Sequence, residues 1–319
     1  MATETTTGAT PLVSIGMPVY NGAAYLRGAL DALLRQDYAH FELIISDDAS
    51  TDETEAVCRE YAARDARIRY HRQSKNLRAY RNFNYAFAQA RGEFFMWAAQ
   101  DDIWHASFIS RSVAALQARP EAVLCHSQGQ PISPDGQALW PPFLDCAAEQ
   151  TDLRARWNYV TTHWELNPAL YGLMRRETAA RTRLLRLSLC ADLIFIAELA
   201  LYGQIIQLPE TLYWKRRPVA DEDYHTHAEM LAYVAGAGYR RPLLVRLAVM
   251  RELAAGLRHA NLGAGARQQL ARDLYRNYVT RRLWLVDLKE YAAEKLGRDG
   301  YRKWRRLKAT LSGRKAVAG

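Results

Sequence analysis

Cysteine is scarce in this chain, and its four residues, Cys58, Cys125, Cys146 and Cys190, form no CxxC pair and have no histidine near them at metal-ligand spacing. A disulfide scaffold and a thiolate zinc module are therefore excluded, and a reducing compartment is the better fit. Long hydrophobic runs are missing as well. No segment reaches the roughly 18 uninterrupted apolar residues of a membrane span. The N-terminal MATETTTGATP has no basic stretch leading into an apolar one, so a cytosolic protein without a signal peptide is expected. Glycine and proline, 18 and 11 residues, are too few for a collagen-like or low-complexity chain. Negative charge is in deficit: 34 acidic residues face 43 Lys and Arg, a formal net charge of +9. Such a surplus invites a nucleic acid or an anionic membrane as partner, and where it lies along the chain decides what it means.

What is present is the material of an α/β protein. With 319 residues, 49% of them apolar, the chain can fill one large core or two smaller ones. Short apolar runs alternate with helix-like segments. Leu12 to Met17 reads as a strand, Ala23 to Arg35 as a helix with Leu26, Leu30, Leu33 and Leu34 on one face, and Phe41 to Ser46 as a second strand. A Ser50 or Thr51 cap and an acidic first turn announce the next helix. Arg67 to His71, Tyr80 to Ala90 and Glu93 to Ala98 continue as strand, helix and strand. This alternation predicts a mostly parallel sheet flanked by helices. Beyond Pro120 the order loosens into turn-rich PISPDG and PPF. A strand over Ala169 to Met174, helices near Glu177 to Leu187 and Asp192 to Tyr202, and QIIQL leading into LYWKRR then follow. From about Arg240 the pattern is helical.

Ligands of such sheets bind at the carboxyl ends of the strands, and three polar clusters fall there: Pro18 to Gly22, Asp47 to Ser50, and Gln100 to Asp102. Adjacent carboxylates repel, so Asp47–Asp48 and Asp101–Asp102 require solvent, hydrogen bonds, a cation or a donor-rich ligand. One carboxylate of the first pair could accept hydrogen bonds from a nucleotide, and the second pair could hold Mg²⁺ or Mn²⁺, hard cations that take oxygen ligands and keep phosphates in their shell.

PVYNG at 18–22, SDDAST at 46–51, NLRAYRN at 76–82 and GEFFMWAAQDD at 92–102 occur in the order in which the chain resembles family 2 glycosyltransferases of GT-A fold. The resemblance extends over roughly residues 12–217 and is more specific than any one motif. It implies a Rossmann-like nucleotide-sugar sheet and transfer of a sugar to an acceptor with inversion. Together with the polar first ten residues and the helical pattern from about Arg240, the expected division is a disordered N-terminus (1–10), a catalytic domain (11–239, the nucleotide part to about 120 and the acceptor part after it) and a basic helical C-terminal region (240–319). Carried over by position, Pro18, Tyr20 and Asn21 meet the base, Asp48 reads base or ribose, and Asn76 and Arg81 approach ribose and phosphate. Asp101 and Asp102 match the metal-binding DxD-like element. Ala99 or Gln100 stands where many relatives carry an earlier Asp, which leaves open which carboxylate ligates the metal. Asp102 is assigned to the metal and Asp101 to ribose or diphosphate.

By the same resemblance Asp192 is the general base, a carboxylate placed beside the acceptor hydroxyl and opposite the leaving diphosphate. A helix N-cap is its ordinary alternative. Glu198 is the second candidate, though its place in an apolar helix favours a partly exposed or paired residue. Arg216 matches an Arg that neutralises the leaving diphosphate, against a plain solvated strand end. Pro218 replaces a customary His, whose contact His225 or His227 could supply. His163, Trp164 and Asn167 could face the acceptor or simply pack.

The excess positive charge sits at one end. Residues 240–319 hold 20 basic and 6 acidic residues, a net of +14, whereas the preceding 239 hold 23 and 28, a net of −5. Tyr301, Trp304, Leu307 and Leu311 recur at helical spacing beside Arg302, Lys303, Arg305, Arg306 and Lys308, with Trp284, Leu288 and Tyr291 as an upstream continuation. Such a helix suits either an anionic membrane surface or packing on the catalytic domain. The expected partners are thus a UDP-, GDP- or dTDP-sugar donor, a glycan, lipid-linked or small-molecule acceptor, and a membrane, with no nucleic acid. Two other functions compete with this one. A sugar-nucleotide nucleotidyltransferase would carry a Gly-rich phosphate loop after the first strand, where PVYNG has one glycine. A nucleic-acid binder would leave three acidic clusters without a purpose.

Overall fold

The computed structural model describes residues 10–139, 141–142, 147–163, 167–217, 242, 244–281, 283–295 and 303. Strands β1 (Val13–Val19), β2 (Phe41–Asp47), β3 (Ile68–Arg72) and β4 (Phe94–Trp97) pair in parallel in the order β3-β2-β1-β4. All seven residues of β1 and of β2 are buried, because helices cover both faces of the sheet and the usual alternation of polar and apolar residues is lost. The connections are α1 (Ala23–Leu34), α2 (Thr54–Arg64) and α3 (Ala79–Ala88).

The second half extends the sheet with reversed and long strands. After β5 (Ile103–Trp104) and α4 (Phe108–Ala118), β6 (Ala122–Ile132) runs for eleven residues through the sheet. Helices α5 (Leu153–Thr162), α6 (Arg176–Ala180) and α7 (Ala191–Ala200) flank β7 (Leu173–Arg175) and the thirteen-residue β8 (Gln204–Arg216). The full order is β3-β2-β1-β4-β7-β6-β8-β5. β7 is antiparallel to both β4 and β6, β8 is parallel to β6, and β5 caps the edge antiparallel to β8. Helices α8 (Val245–His259), α9 (Ala264–Thr280) and α10 (Leu283–Lys295) follow, with α8 against α7 and α9 against α5.

Two apolar clusters fill the two sides. One joins Ile15, Met17, Leu26, Leu30 and Phe94 beneath α1, α2 and α4, and the other joins Trp97, Trp157, Phe195 and Leu253 beneath α5, α7 and α8. Trp97 anchors the second, edge-on to Phe95 and Phe195 at 5.1 Å each, with Nε1 donating to the Phe83 carbonyl at 3.0 Å. No described helix is long and apolar enough to cross a membrane.

Several sequence expectations change. β6 lies where loosened order was expected; His126, Ser127 and Gln128 obscured it, yet the strand is interior, between β7 and β8, and most of it is buried. Ala169 to Met174 is a 3-10 turn (Asn167–Tyr171) followed by β7 rather than one strand. Between them Gly172 comes so close to β6 that a Cβ would lie 2.7 Å from the Cys125 carbonyl oxygen. The helix expected over Glu177 to Leu187 ends at Ala180. Neither Ser50 nor Thr51 caps α2: its N-cap is Glu53, which makes no side-chain cap bond, and Asp52 instead accepts from the Thr54 amide at 3.0 Å. Positions 301–311 of the basic stripe, other than Lys303, lie outside the described residues, as do His225, His227, Trp164 and Pro218.

Candidate functional site

A cleft of about 280 Å³ opens at the carboxyl ends of β1, β2 and β4. Pro18, Val19 and Tyr20 form one wall, Asp48 the floor of the next strand end, and Ala99, Gln100 and Asp101 the continuation of β4. Asn76, Arg78, Ala79, Asn82 and Phe83 close it from the start of α3. The loops are held in uncommon backbone conformations. Asn21, Ala49 and Arg78 have φ of 47°, 59° and 74°, positions a non-glycine residue occupies only when its surroundings compel it. The compelling contacts are visible. Asp47 accepts from the Ser50 amide at 2.9 Å and from the Tyr70 hydroxyl at 2.8 Å; Asn21 accepts from the Thr51 amide at 2.9 Å. Asp48 accepts from the Leu77 amide at 2.5 Å and the Arg78 amide at 3.0 Å, one on each oxygen. Gln100 grips Tyr20 through both backbone groups, accepting from its N–H at 2.8 Å and donating to its carbonyl at 3.2 Å.

The carboxylates differ in circumstance. Burial pushes Asp48 above the usual carboxylate range, partly offset by its two amide donors. Asp102 is almost wholly buried, with one oxygen on the Tyr213 hydroxyl and the other on the Arg216 amide at 2.9 Å. Burial, and next the charge of Asp101, push it up to about 7. Burial also raises Asp101, against the pull of Lys215, Arg216 and Arg217. Lys215 answers this cluster from β8. Its Nζ lies 5.4 Å from the centre of the Tyr171 ring, and burial, with Arg217 second, lowers its pKa. Among the described residues no group of three or more His, Cys, Asp or Glu gathers as a metal cage. What the cleft offers a cation is the Asp101 carboxylate, a hard donor suited to an ion whose other ligands come with a phosphate-bearing substrate.

Residues 14–166 match the sequence model of Glycosyl transferase family 2. These residues, just under half of the chain, carry a family 2 glycosyltransferase domain. An uncharacterized glycosyltransferase of Rickettsia typhi is 35% identical over 106 residues, 33% of this chain and 32% of that protein. One from Rickettsia felis is 40% identical over 109 residues, 33% of this chain and 17% of that protein. An uncharacterized Mycobacterium tuberculosis protein is 30% identical over 203 residues, 62% and 56% of the two chains. The chain thus spans about a third or less of the length of these Rickettsia relatives. The fold is that of solved GT-A glycosyltransferases. S. aureus TarS 1–349 in complex with UDP-GlcNAc superposes with a TM-score of 0.62 at 19% identity, covering 95% of this chain and 92% of that one. The Pyrobaculum calidifontis mannosyltransferase PcManGT, in complex with GDP-Man and Mn²⁺, gives 0.52 at 19% identity, covering 90% and 87%.

Against the expectations for a family 2 glycosyltransferase, the cleft gathers Pro18, Tyr20, Asp48, Asn76 and Asp101. Other assigned residues stand elsewhere. Asn21 does not line the cleft; it ties the β1 loop to the β2 loop. Arg81 is exposed on α3 outside the lining, and Arg78, one turn earlier, takes the wall. Asp102, expected at the metal, has both oxygens engaged inside the protein, and of the acidic pair only Asp101 lines the cleft. Arg216 is not at the cleft either. Its guanidinium donates to the Asp101 carbonyl at 3.0 Å and to the Ser133 and Pro134 carbonyls, and stacks over Tyr25 at 4.7 Å, clamping the acidic loop to the end of β6.

Asp192 occupies the first turn of α7, not its N-cap, which is Cys190 at φ 60°. It is half-buried, outside the cleft lining, and its charge reaches Tyr80 on α3 and Lys215 and Tyr171 behind Asp101. Glu198 is buried rather than partly exposed, and it is paired with Arg183. His163 is exposed and stacks on Tyr159 at 4.0 Å. Sequence reasoning passed over Arg78, Asn82 and Lys215, and gave Gln100 only as one end of a polar cluster. Asn82 had a readable signal as a polar residue on the apolar face of α3: it bonds Ser46 through its oxygen at 2.5 Å and its nitrogen at 2.8 Å.

Proposed function

We propose that this protein transfers a sugar from a nucleoside-diphosphate-sugar, with a UDP, GDP or dTDP carrier, to an acceptor hydroxyl with inversion at the anomeric carbon. The observation that carries the reading is the presence of Asp48 and Asp101 in one cleft at the strand ends. Asp48 retains a lone pair on each oxygen for base or ribose donors, and Pro18 and Tyr20 provide a flat apolar wall for the base. Arg78 supplies positive charge toward the diphosphate. The complexes of TarS with UDP-GlcNAc and of PcManGT with GDP-Man and Mn²⁺ support a nucleotide-sugar donor. Asp101 is the residue that would hold Mg²⁺ or Mn²⁺, which when bound stabilises charge on the departing diphosphate.

In the transfer, the acceptor oxygen forms its bond to the anomeric carbon as the bond to the diphosphate oxygen breaks. Asp192 takes the acceptor proton, so the attacking oxygen gains electron density as the anomeric carbon loses it. The half-buried position of Asp192, close enough to feel Lys215 and Tyr80, supports its placement beside the reacting groups. The acceptor belongs to the glycan, lipid-linked or small-molecule hydroxyls, and assembly of a cell-surface polysaccharide on the cytoplasmic face of a membrane is the setting we infer.

The experiment is calorimetric titration of UDP-, GDP- and dTDP-sugars with Mg²⁺ or Mn²⁺, followed by assay of donor turnover and of product anomeric configuration. One donor class should bind and turn over with inversion. Failure of every nucleotide to bind overturns the donor reading, and a retained configuration overturns the mechanism.

A further inference from the structure

We propose that the exposed face of α9 and α10 docks on an anionic lipid bilayer. Tyr275, Val279, Trp284 and Leu288 are 63%, 43%, 40% and 42% exposed, and they are four of the seven large hydrophobic residues exposed among the described residues. They form two (i, i+4) pairs, Tyr275 with Val279 on α9 and Trp284 with Leu288 on α10, on consecutive helices that pack together. Tyrosine and tryptophan are the side chains that settle at the headgroup level of a membrane.

The charge around these pairs selects the occupant. The acidic residues of the helical region whose side chains are described are drawn into ion pairs: Asp273 with Arg154 at 2.5 Å, Asp287 with Arg246 at 3.0 Å, and Glu252 with Arg183 at 3.0 Å. Arg272 and Lys289, by contrast, are exposed on α9 and α10. The sequence that follows, residues 296–319, adds eight Lys and Arg and a single Asp. A face of this charge repels both that segment and a second copy of itself, so neither covers the apolar pairs cheaply. A nucleic acid would satisfy the cations and leave Trp284, Leu288 and Val279 in water. An anionic bilayer takes both: headgroups meet the basic residues and the interface takes the apolar side chains. The surface belongs to a region apart from the cleft, so its test is independent of the proposed sugar transfer.

The full-length protein is sedimented with vesicles of phosphatidylcholine alone and of phosphatidylcholine with phosphatidylglycerol. It should partition onto the anionic vesicles only, and Trp284→Ser/Leu288→Ser should lower the partition coefficient at least about tenfold with thermal unfolding unchanged. Arg272→Glu/Lys289→Glu, at positions exposed enough to leave the fold intact, should weaken binding in low salt, with the difference shrinking as salt screens it. Parent-like binding by both double variants overturns the proposal, as does absence of binding by the parent. It is also overturned if the parent ignores vesicles but binds single-stranded RNA, or if it self-associates in solution and the Trp284→Ser/Leu288→Ser protein does not.

Discussion

Removing the Glu198 carboxylate tests whether this residue braces the fold or takes part in chemistry. Glu198 is 2% exposed on α7. It accepts from the Arg183 amide at 2.8 Å and from Arg183 Nε at 2.7 Å. Arg183 reaches on to α8, donating to the Glu252 carboxylate at 3.0 Å and the Glu252 carbonyl at 2.6 Å. Gly256 leaves room for the joint, since a Cβ there would sit 2.8 Å from Glu198 Cγ. Glu198→Ala leaves a nearly buried guanidinium with only Glu252 to answer it, and breaking such a pair costs about 3–5 kcal/mol. Glu198→Gln keeps the shape and part of the hydrogen bonding, for a loss of about 1–3 kcal/mol. Urea unfolding followed by circular dichroism measures both, and transfer activity is normalised to folded protein. The expected result is a large stability loss with near-parental activity per folded molecule. Replacing both partners, as Arg183→Met/Glu198→Met, should recover part of the loss because no orphaned charge remains. A Glu198→Gln protein of parental stability that transfers no sugar refutes the bracing role and makes Glu198 the base.

Further outcomes follow from the cleft and the helices. Asp192→Asn should keep donor affinity, read by calorimetry, and lose transfer by about 10²-fold or more; transfer at the parental rate removes it as the base. Asp101→Asn should abolish the enhancement of donor binding by Mg²⁺ or Mn²⁺, whereas Asp102→Asn should keep that enhancement. Two Arg154 contacts, at 2.5 and 2.9 Å, hold the Asp273 carboxyl down to about 2, from an ordinary 3.8. A depressed carboxylate adds stability above its unfolded value that is lost as pH falls through its folded one. Asp273→Asn should therefore cost about 1–2 kcal/mol at pH 7, allowing for screening on the half-exposed arginine, and close to nothing near pH 2, in urea melts at each pH.

β1, β2 and β4 were legible because helices bury both faces and leave short apolar runs such as Leu43 to Ile45. β6 was not legible for the opposite reason. His126, Ser127 and Gln128 lie in a strand held by β7 and β8, and pairing between strands does not show in a hydropathy pattern. The cleft was legible to the level of strand ends, which fixed Pro18, Tyr20, Asp48 and Asp101. It failed at the level of side-chain direction. Arg78 and Arg81 differ by nearly one helical turn, and only the helix start at Ala79 decides which faces the cleft. Asp101 and Asp102 are neighbours in sequence, but Tyr213 and the Arg216 amide, more than a hundred residues away, turn the second inward.

The two amide bonds on Asp48 make one side chain answer to two demands. The carboxylate that faces the cleft is also the fastening of the Asn76–Arg78 segment, which carries the cationic wall. A ligand that draws on Asp48 redistributes the same negative charge that holds the arginine loop closed. Protonation of Asp48 would weaken both attachments together, so under the proposed donor binding, occupancy of the cleft and order of the Asn76–Arg78 segment should rise and fall as a single equilibrium.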